Sequence, residues 1–241
     1  NSDLKNAYEY SLQNSPSKRI LIEEFIDGLQ ISSESFVINQ KAYTVGLSDR
    51  NYSEKINLPY IVENGGDLPA SLNAHNIEAI NLLIGNCAKA FKVTNGTIKG
   101  DIVIRDNIPY IIECALRLSG GYFCSHEILH SNGVNFLEYA IKQSLGQSIN
   151  TSDLKPKFTK YVTQRYFFPK PGKITDISGL DRYENNPNII LLKLNVKVGE
   201  FINEIINHPA RAGVVITKGD NKKESLDLAK EVIKNVKIKT I

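Results

Sequence analysis

Residues 100–121 read GDIVIRDNIPYIIECALRLSGG, the stretch of this chain with the strongest structural signal. Two runs rich in β-branched residues flank Asp106 and Asn107, a pair typical of tight turns, so the stretch predicts a β-hairpin. A reversal centred near Asn107 places Asp101 opposite Glu113, since each lies six residues from it. Their Cβ atoms would then be about 5 Å apart, where like charges repel and destabilise a sheet.

The facing carboxylates predict a cation site. A cation between Asp101 and Glu113 would offset their repulsion, and hard oxygen ligands favour Mg²⁺. The two-residue period of a strand also places Arg117 on the face of Glu113. Metal beside arginine is an arrangement that holds a polyphosphate.

The hairpin resembles the metal-binding hairpin of ATP-grasp enzymes. That superfamily includes biotin carboxylase, the carbamoyl phosphate synthetase large chain, the glycinamide ligases and the L-amino-acid ligases. Its usual pattern is an acid followed twelve residues later by Glu-x-Asn-x-Arg, which Asp101, Glu113 and Arg117 match. The resemblance implies Asp101 and Glu113 as Mg²⁺ ligands and Arg117 as a catalytic residue. Ala115 stands where the family has Asn, which puts full two-metal activity in doubt.

A second segment resembles the adenine-binding hinge of the same superfamily. Residues 19–23 are predicted to form a buried strand, and residues 23–30 read EEFIDGLQ, similar to Glu-x-Phe-Ile-x-Gly-x-Glu. The resemblance implies that the backbone of Glu24 and Ile26 binds the adenine edge of ATP, with Glu23 near its amino group. Gln30 replaces the usual ribose-binding acid and can bond a diol only without charge. The alternative is an ordinary strand followed by a glycine turn.

The remaining pattern predicts an α+β protein with an antiparallel sheet and packed helices. Predicted helices cover residues 4–13, 76–91, 136–145 and 224–236, and predicted strands cover 31–38, 42–47, 160–168, 172–177, 189–196 and 212–218. A polar stretch at 147–157 suggests a boundary. We therefore predict an ATP-grasp domain lacking its N-terminal part at 1–150 and a small β-rich C-terminal domain, resembling that of biotin carboxylase, at 151–241.

Four further polar residues are weaker site candidates. Arg50 and Glu63 lie in a polar stretch whose family counterpart is near the phosphates and the acceptor substrate. Arg211 and His208 could reach the active site from the C-terminal domain. For all four, the sequence favours the alternative of a surface-loop residue.

Residues 126–130 read HEILH and match the zinc-protease pattern His-Glu-x-x-His. Phe136 replaces the third histidine of the longer signature, and a chain without methionine cannot form its Met-turn. Glu138 follows too closely to act as the downstream glutamate of the other variant. We therefore interpret His126 and His130 as helix residues.

Composition excludes several classes of protein. With 41% hydrophobic and 23% charged residues among 241, the chain is typical of soluble globular proteins. No apolar run approaches the about 18 residues of a membrane span, and a dispersed net charge of +3 gives no nucleic-acid surface. Cys87, Cys114 and Cys124 show no paired spacing, which favours reduced thiols and a cytoplasmic protein. Because methionine is absent, we expect a part of a longer translation product.

The resemblance implies an ATP-dependent carboxylate-amine or ammonia ligase that acts through an acyl phosphate. Its partners would be small-molecule carboxylate and amine substrates, and a homodimer is left open. The family's N-terminal domain and Gly-rich phosphate loop are expected upstream of Asn1, so we expect this fragment alone to be inactive. The alternative is a decayed nucleotide-binding or interaction protein, which the departures at Gln30 and Ala115 favour and the intact Asp101, Glu113 and Arg117 oppose.

Overall fold

The computed structural model describes residues 2–52, 56–57 and 60–241. Its helices are Ser2–Asn14 (α1), Ala74–Ala90 (α2), Ile128–Asn132 (α3), Phe136–Ser144 (α4) and Lys222–Asn235 (α5). Its strands are Leu29–Ile38 (β1), Lys41–Asn51 (β2), Ile56–Asn57 (β3), Tyr60–Ile61 (β4), Gly65–Leu68 (β5), Gly96–Arg105 (β6), Ile108–Ala115 (β7), Tyr161–Tyr166 (β8), Gly172–Ser178 (β9), Ile189–Leu194 (β10), Phe201–Ile202 (β11), Gly213–Gly219 (β12) and Lys237–Thr240 (β13).

One antiparallel sheet of eight strands, in the order β10-β12-β8-β5-β2-β1-β6-β7, forms the centre of the fold. A smaller sheet contains β11, β9 and β13. The predicted α+β architecture, an antiparallel sheet with packed helices, is confirmed. Strand β5 joins the two parts of the large sheet, because Asp67 lies opposite Asp49 of β2 and opposite Thr163 of β8. The sheet thus continues past residue 150, and the division into two domains there stays a prediction.

Helix α2 packs behind the acidic hairpin, as its apolar spacing predicts. Ile80 and Ile84 of α2 are fully buried against Ile98 and Ile102 of β6. Gly100 allows this approach, since a Cβ there would lie 2.8 Å from the Ile84 side chain. The helix therefore fixes one face of the hairpin and leaves the face of Asp101 for the site.

The opposite face of the sheet is covered by α4. Phe36 of β1 stacks on Phe136, the first residue of α4, with ring centroids 4.1 Å apart, and both side chains are fully buried. A third apolar cluster packs α5 against β12 through Ala229, Val232 and Val215.

One sequence-based expectation is wrong, and some strands were not predicted, β5 and β13 among them. The buried strand predicted at residues 19–23 is wrong: those residues form no strand, and Leu21 and Ile22 are 79% and 68% exposed. An apolar run forms a buried strand only beside a partner strand, and no strand of the described residues pairs with this one. The strands β5 and β13 were missed, since glycines begin one and lysines alternate in the other. Among the described residues, no helix combines the length and apolar character needed to cross a bilayer.

The cap of α5 provides a test of the C-terminal part. The Asn221 side chain accepts a hydrogen bond from the Glu224 backbone N–H at 3.0 Å, and the Glu224 carboxylate accepts one from the Asp220 N–H at 2.9 Å. We expect Asn221→Ala to lower the free energy of unfolding by about 1 kcal/mol. Asn221→Ser, which keeps a capping oxygen, should cost much less in the same urea titration. Equal losses in both variants would contradict a capping role.

Candidate active site

The acidic hairpin owes its register to a tight turn and a bulge. Asp106 and Asn107 both have positive φ, 54° and 63°, as a two-residue hairpin turn of the right twist requires. Near the turn Ile102 lies opposite Ile111, and one step further Asp101 lies opposite Glu113. The bulge therefore shifts β7 by one residue. The predicted pairing of Asp101 with Glu113 is confirmed, but it depends on this bulge rather than on a turn centred at Asn107.

A protein cation lies between the two carboxylates. Lys99 Nζ is 2.5 Å from Asp101 Oδ2 and 3.6 Å from Glu113 Oε1. Lys99 and Asp101 share a strand face because they are two residues apart, and their side chains are only 13% and 12% exposed. Residue 115 lies directly opposite Lys99, and alanine there leaves the ammonium room. The repulsion that the sequence predicts is thus relieved within the protein by a residue that sequence reasoning did not single out.

Arg50 connects this cluster to a third carboxylate. Its guanidinium lies 3.2 Å from Asp101 Oδ2 and 2.9 Å from Glu63 Oε2. Burial lowers the pKa of Arg50, but Glu63, Tyr52 and Asp101 outweigh burial and raise it. Arg50 is therefore a fixed positive charge at the centre of the site, and its interpretation as a surface-loop residue is corrected, as is that of Glu63.

The hinge and the hairpin line one cavity of about 480 Å³. All four hinge candidates, Glu23, Glu24, Ile26 and Gln30, lie on its wall, together with Arg50, Asp101 and Glu113. The Glu24 carboxylate lies 3.1 Å from Arg105 Nη1, which ties the hinge to β6. The structure thus brings together the two segments that the sequence sets more than seventy residues apart.

A second cavity of about 400 Å³ shares part of its wall with the first. Arg50, Asp101 and Glu113 line both cavities. Arg117 lies on the second cavity, with its Nη2 4.0 Å from Glu113 Oε1 and its Nη1 donating to the Leu118 carbonyl. The predicted neighbourhood of Arg117 and the acidic pair is present in the structure.

The loop after Arg117 rests on a buried acid. Glu34 is fully buried, and its carboxyl accepts a hydrogen bond from the Ser119 N–H at 3.1 Å. Burial raises the pKa of Glu34 to about 8, although the Ser119 hydrogen bond and the charges of Lys99 and Arg117 lower it. The loop that lines the second cavity is therefore bonded to a carboxyl group whose burial favours its neutral form.

The C-terminal part contributes His208 and Arg211 to the second cavity. His208 Nε2 accepts a hydrogen bond from the Glu63 N–H at 3.2 Å, and Arg211 Nη1 donates to the Glu63 carbonyl at 3.0 Å. The Arg211 guanidinium lies 3.4 Å from the centre of the Tyr166 ring. Burial lowers the pKa of both His208 and Arg211. Arg211 is only partly exposed, so its interpretation as a solvated loop residue is corrected, whereas His208 is exposed and reaches the cavity through its bond to the Glu63 N–H.

The His-Glu-x-x-His motif does not form a metal site. Residues Phe123–Glu127 form a π-helix that ends at α3, so the motif spans two helical segments. His126 Nδ1 is bonded to the Ser125 hydroxyl at 2.8 Å. The described residues contain no group of three or more histidine, cysteine, aspartate or glutamate side chains placed to hold a metal.

The fold is shared with proteins of known structure. Residues 165–240 match the L-amino acid ligase C-terminal domain 2 family. The structure superposes on phosphoribosylglycinamide synthetase from Anaerococcus prevotii with a TM-score of 0.77 and 18% identity, over 97% of this chain and 59% of that one. The chain has the ATP-grasp fold. L-amino acid ligase from Bacillus licheniformis gives a TM-score of 0.77 at 19% identity over 90% and 55% of the two chains, and biotin carboxylase from Campylobacter jejuni gives 0.70 at 15% over 99% and 53%.

The ATP-grasp chain spans less than two thirds of the length of each of these structures. A search of curated protein sequences finds no match. At these identities the structural neighbours show the fold alone.

Sequence reasoning missed three residues of this candidate site besides Lys99. Gln164 and Tyr166 lie two residues apart on β8 and both line the second cavity. They reach it because β8 pairs with β5, which the sequence does not indicate. Glu127 lies on the same cavity and is 2% exposed. Its signal was the His-Glu-x-x-His motif, which drew attention to the histidines.

Proposed function

We propose that the chain supplies the nucleotide hinge, the acidic hairpin and the C-terminal part of an ATP-dependent ligase. The ligase would join a carboxylate to an amine or ammonia through an acyl phosphate. The observation that carries this proposal is that the hinge cavity and the second cavity meet at Arg50, Asp101 and Glu113. A nucleotide in the first cavity would direct its phosphates to that junction, and an acceptor in the second would meet them there.

The hinge residues have distinct roles in this proposal. The backbone of Glu24 and Ile26 would bond the adenine edge, with Glu23 near the amino group, and Gln30 would bond the ribose hydroxyls. Apolar side chains of the same cavity, Val103 and Ile112 among them, would cover the ring. Binding there needs no side-chain chemistry, only position.

The acidic pair fits a magnesium ion. Asp101 and Glu113 present carboxylate oxygens from facing strands, and Mg²⁺ takes its remaining ligands from water and phosphate. When bound, the ion would neutralise charge on the transferred phosphoryl group. Arg117 would hold the same group from the second cavity, and Lys99 would move from the carboxylates toward the phosphate oxygens. No side chain acts as a covalent nucleophile.

The second candidate function is a decayed ATP-grasp nucleotide-binding or interaction protein. Lys99 already supplies the positive charge between Asp101 and Glu113, and Ala115 and Gln30 lack the polar groups usual in the family. In this case the fold would need no metal. The two candidates therefore differ in whether Mg²⁺ changes nucleotide binding.

Calorimetric titration of the chain with ADP separates the two candidates. We expect weak binding, since the hinge cavity is open to water, and we expect Mg²⁺ to strengthen it. Glu113→Gln should weaken the binding of ADP in the presence of Mg²⁺ about tenfold, which corresponds to the loss of one charged ligand. Glu78→Gln, an exposed change on α2, is the control. ADP binding that does not change with Mg²⁺ would favour the decayed protein. Tight binding of ADP would contradict a site that is open to water.

The cellular compartment and the partners of the protein complete the proposal. Cys87, Cys114 and Cys124 are free thiols, and we propose a reducing, cytoplasmic compartment. The substrates would be a small-molecule carboxylate and an amine. One structural neighbour is described as a dimer of biotin carboxylase domains, and a homodimer of this protein is a proposal for sedimentation analysis.

A further inference from the structure

Glu127 is placed on the second cavity by an irregular helix. Tyr122 adopts a left-handed conformation with φ of 72°, and the π-helix Phe123–Glu127 follows directly after Gly120 and Gly121. Single π-turns inside helices are rare and often occur at functional sites. Here the π-turn ends at Glu127, which lines the cavity wall and is 98% buried.

The Glu127 carboxyl has neither a hydrogen bond nor an ion pair within the part of the chain that the structure describes. The two arginines nearby interact with other groups. Arg165 pairs with Asp67 at 3.0 Å, and Arg211 donates to the Glu63 carbonyl. Burial raises the pKa of Glu127 well above its usual value, and the charges of Glu63 and Asp67 raise it further. A buried carboxyl without a donor is costly, so such a group in a cavity indicates a missing ligand.

The chemistry of the wall identifies the class of ligand. The Glu127 carboxyl has no donor within the described chain, and a positively charged donor would both bind it and stabilise its ionised form. The described residues offer no third side chain that would complete a metal site there. Gln164 and Tyr166 add an amide and a hydroxyl to the same wall, which suits a small group with several N–H bonds. A primary ammonium meets these requirements.

We propose that Glu127 binds the amino group of the amine substrate in the second cavity. This inference rests on the proposed ligase function, since it assigns the place of the amine. The amine would bind in the same 400 Å³ cavity whose wall also contains Arg50, Asp101 and Glu113. Glu127 is then a residue that contacts substrate, and the His-Glu-x-x-His sequence owes its glutamate to amine binding.

Infrared spectroscopy of the full chain with methylammonium chloride as the probe tests the inference. We expect bound methylammonium to favour the carboxylate form of Glu127, which releases its proton to the buffer, with a saturable loss of the carboxylic acid C=O band. Tetramethylammonium, which has no N–H donor, should have no such effect. Glu127→Gln should remove the response and weaken methylammonium binding about tenfold by calorimetry. Glu138→Gln, an exposed change on α4, is the matched control.

Two outcomes would overturn the inference. One is a wild-type carboxyl band that does not respond to methylammonium, a measurement that does not depend on any variant folding. The other is equal binding of the probe by wild type and Glu127→Gln. The ADP titration reports on the ligase proposal separately, because its ligands are the hinge and hairpin. Loss of ADP binding with an intact amine response would defeat the ligase function alone.

Discussion

Replacing Lys99 with methionine is expected to lower the free energy of unfolding of the metal-free chain by about 2–3 kcal/mol. The change keeps the apolar stem but removes the ammonium that lies 2.5 Å from Asp101 and 3.6 Å from Glu113. Breaking a buried ion pair from one side leaves an uncompensated charge. The loss is smaller than for an isolated pair, since Arg50 stays on Asp101 and the Glu113 side chain is 57% exposed.

Magnesium should restore what Lys99→Met loses. In the variant the two carboxylates face each other without the ammonium, so a divalent cation can bind between them, and its binding stabilises the folded state. We expect MgCl₂ to raise the melting temperature of Lys99→Met more than that of the wild type, with NaCl of equal ionic strength as the salt control. Lys89→Met, an exposed change at the end of α2, should show neither effect. A variant as stable as the wild type and insensitive to Mg²⁺ would show that Lys99 carries no charge-balancing role.

The acidic pair could be predicted from the sequence because its determinants are local. A tight turn and a strand period fix which residues of one hairpin face each other, within an error of one residue. The bulge between Asp101 and Ile102 supplied that one residue. Lys99 was harder to predict. Strand spacing places it on the same face as Asp101, but it does not determine that the ammonium lies between the two carboxylates.

Distance along the chain limited the rest of the site. His208 contacts the backbone of Glu63, a residue 145 positions away, and no local pattern encodes that contact. It forms because β5 inserts between β2 and β8 and draws the C-terminal strands into the sheet. The strand predicted at residues 19–23 was wrong because only its local pattern was considered. The apolar pattern is typical of a strand, but none of the described strands pairs with these residues.

The buried acid under the cavity loop gives the second large effect. Wild-type stability should fall as pH rises from about 5 to 8, and Glu34→Gln should remove the share of that fall that Glu34 causes. Glu34 has its pKa raised from 4.5 to about 8 by burial, so in this window the unfolded chain has lost the proton and the folded chain still holds it. Stability then falls with rising pH by about 1.4 kcal/mol per pH unit. Below pH 4.5 both states are protonated, and above pH 8 both are ionised, so the slope is confined between these values.

Summed between pH 4.5 and pH 8, this slope amounts to several kcal/mol. Glutamine can still accept the Ser119 N–H and carries no charge, so the variant should be more stable than the wild type above pH 6 and similar to it at pH 4. Urea titrations at intervals across this range measure the difference, with Glu78→Gln as the control. Glu127, whose pKa is also raised, adds a slope of the same sign to both proteins, so only the difference between them belongs to Glu34. Parallel curves for wild type and Glu34→Gln would mean that Glu34 is ionised in the folded protein, with a charge directly beneath the Ser119 loop.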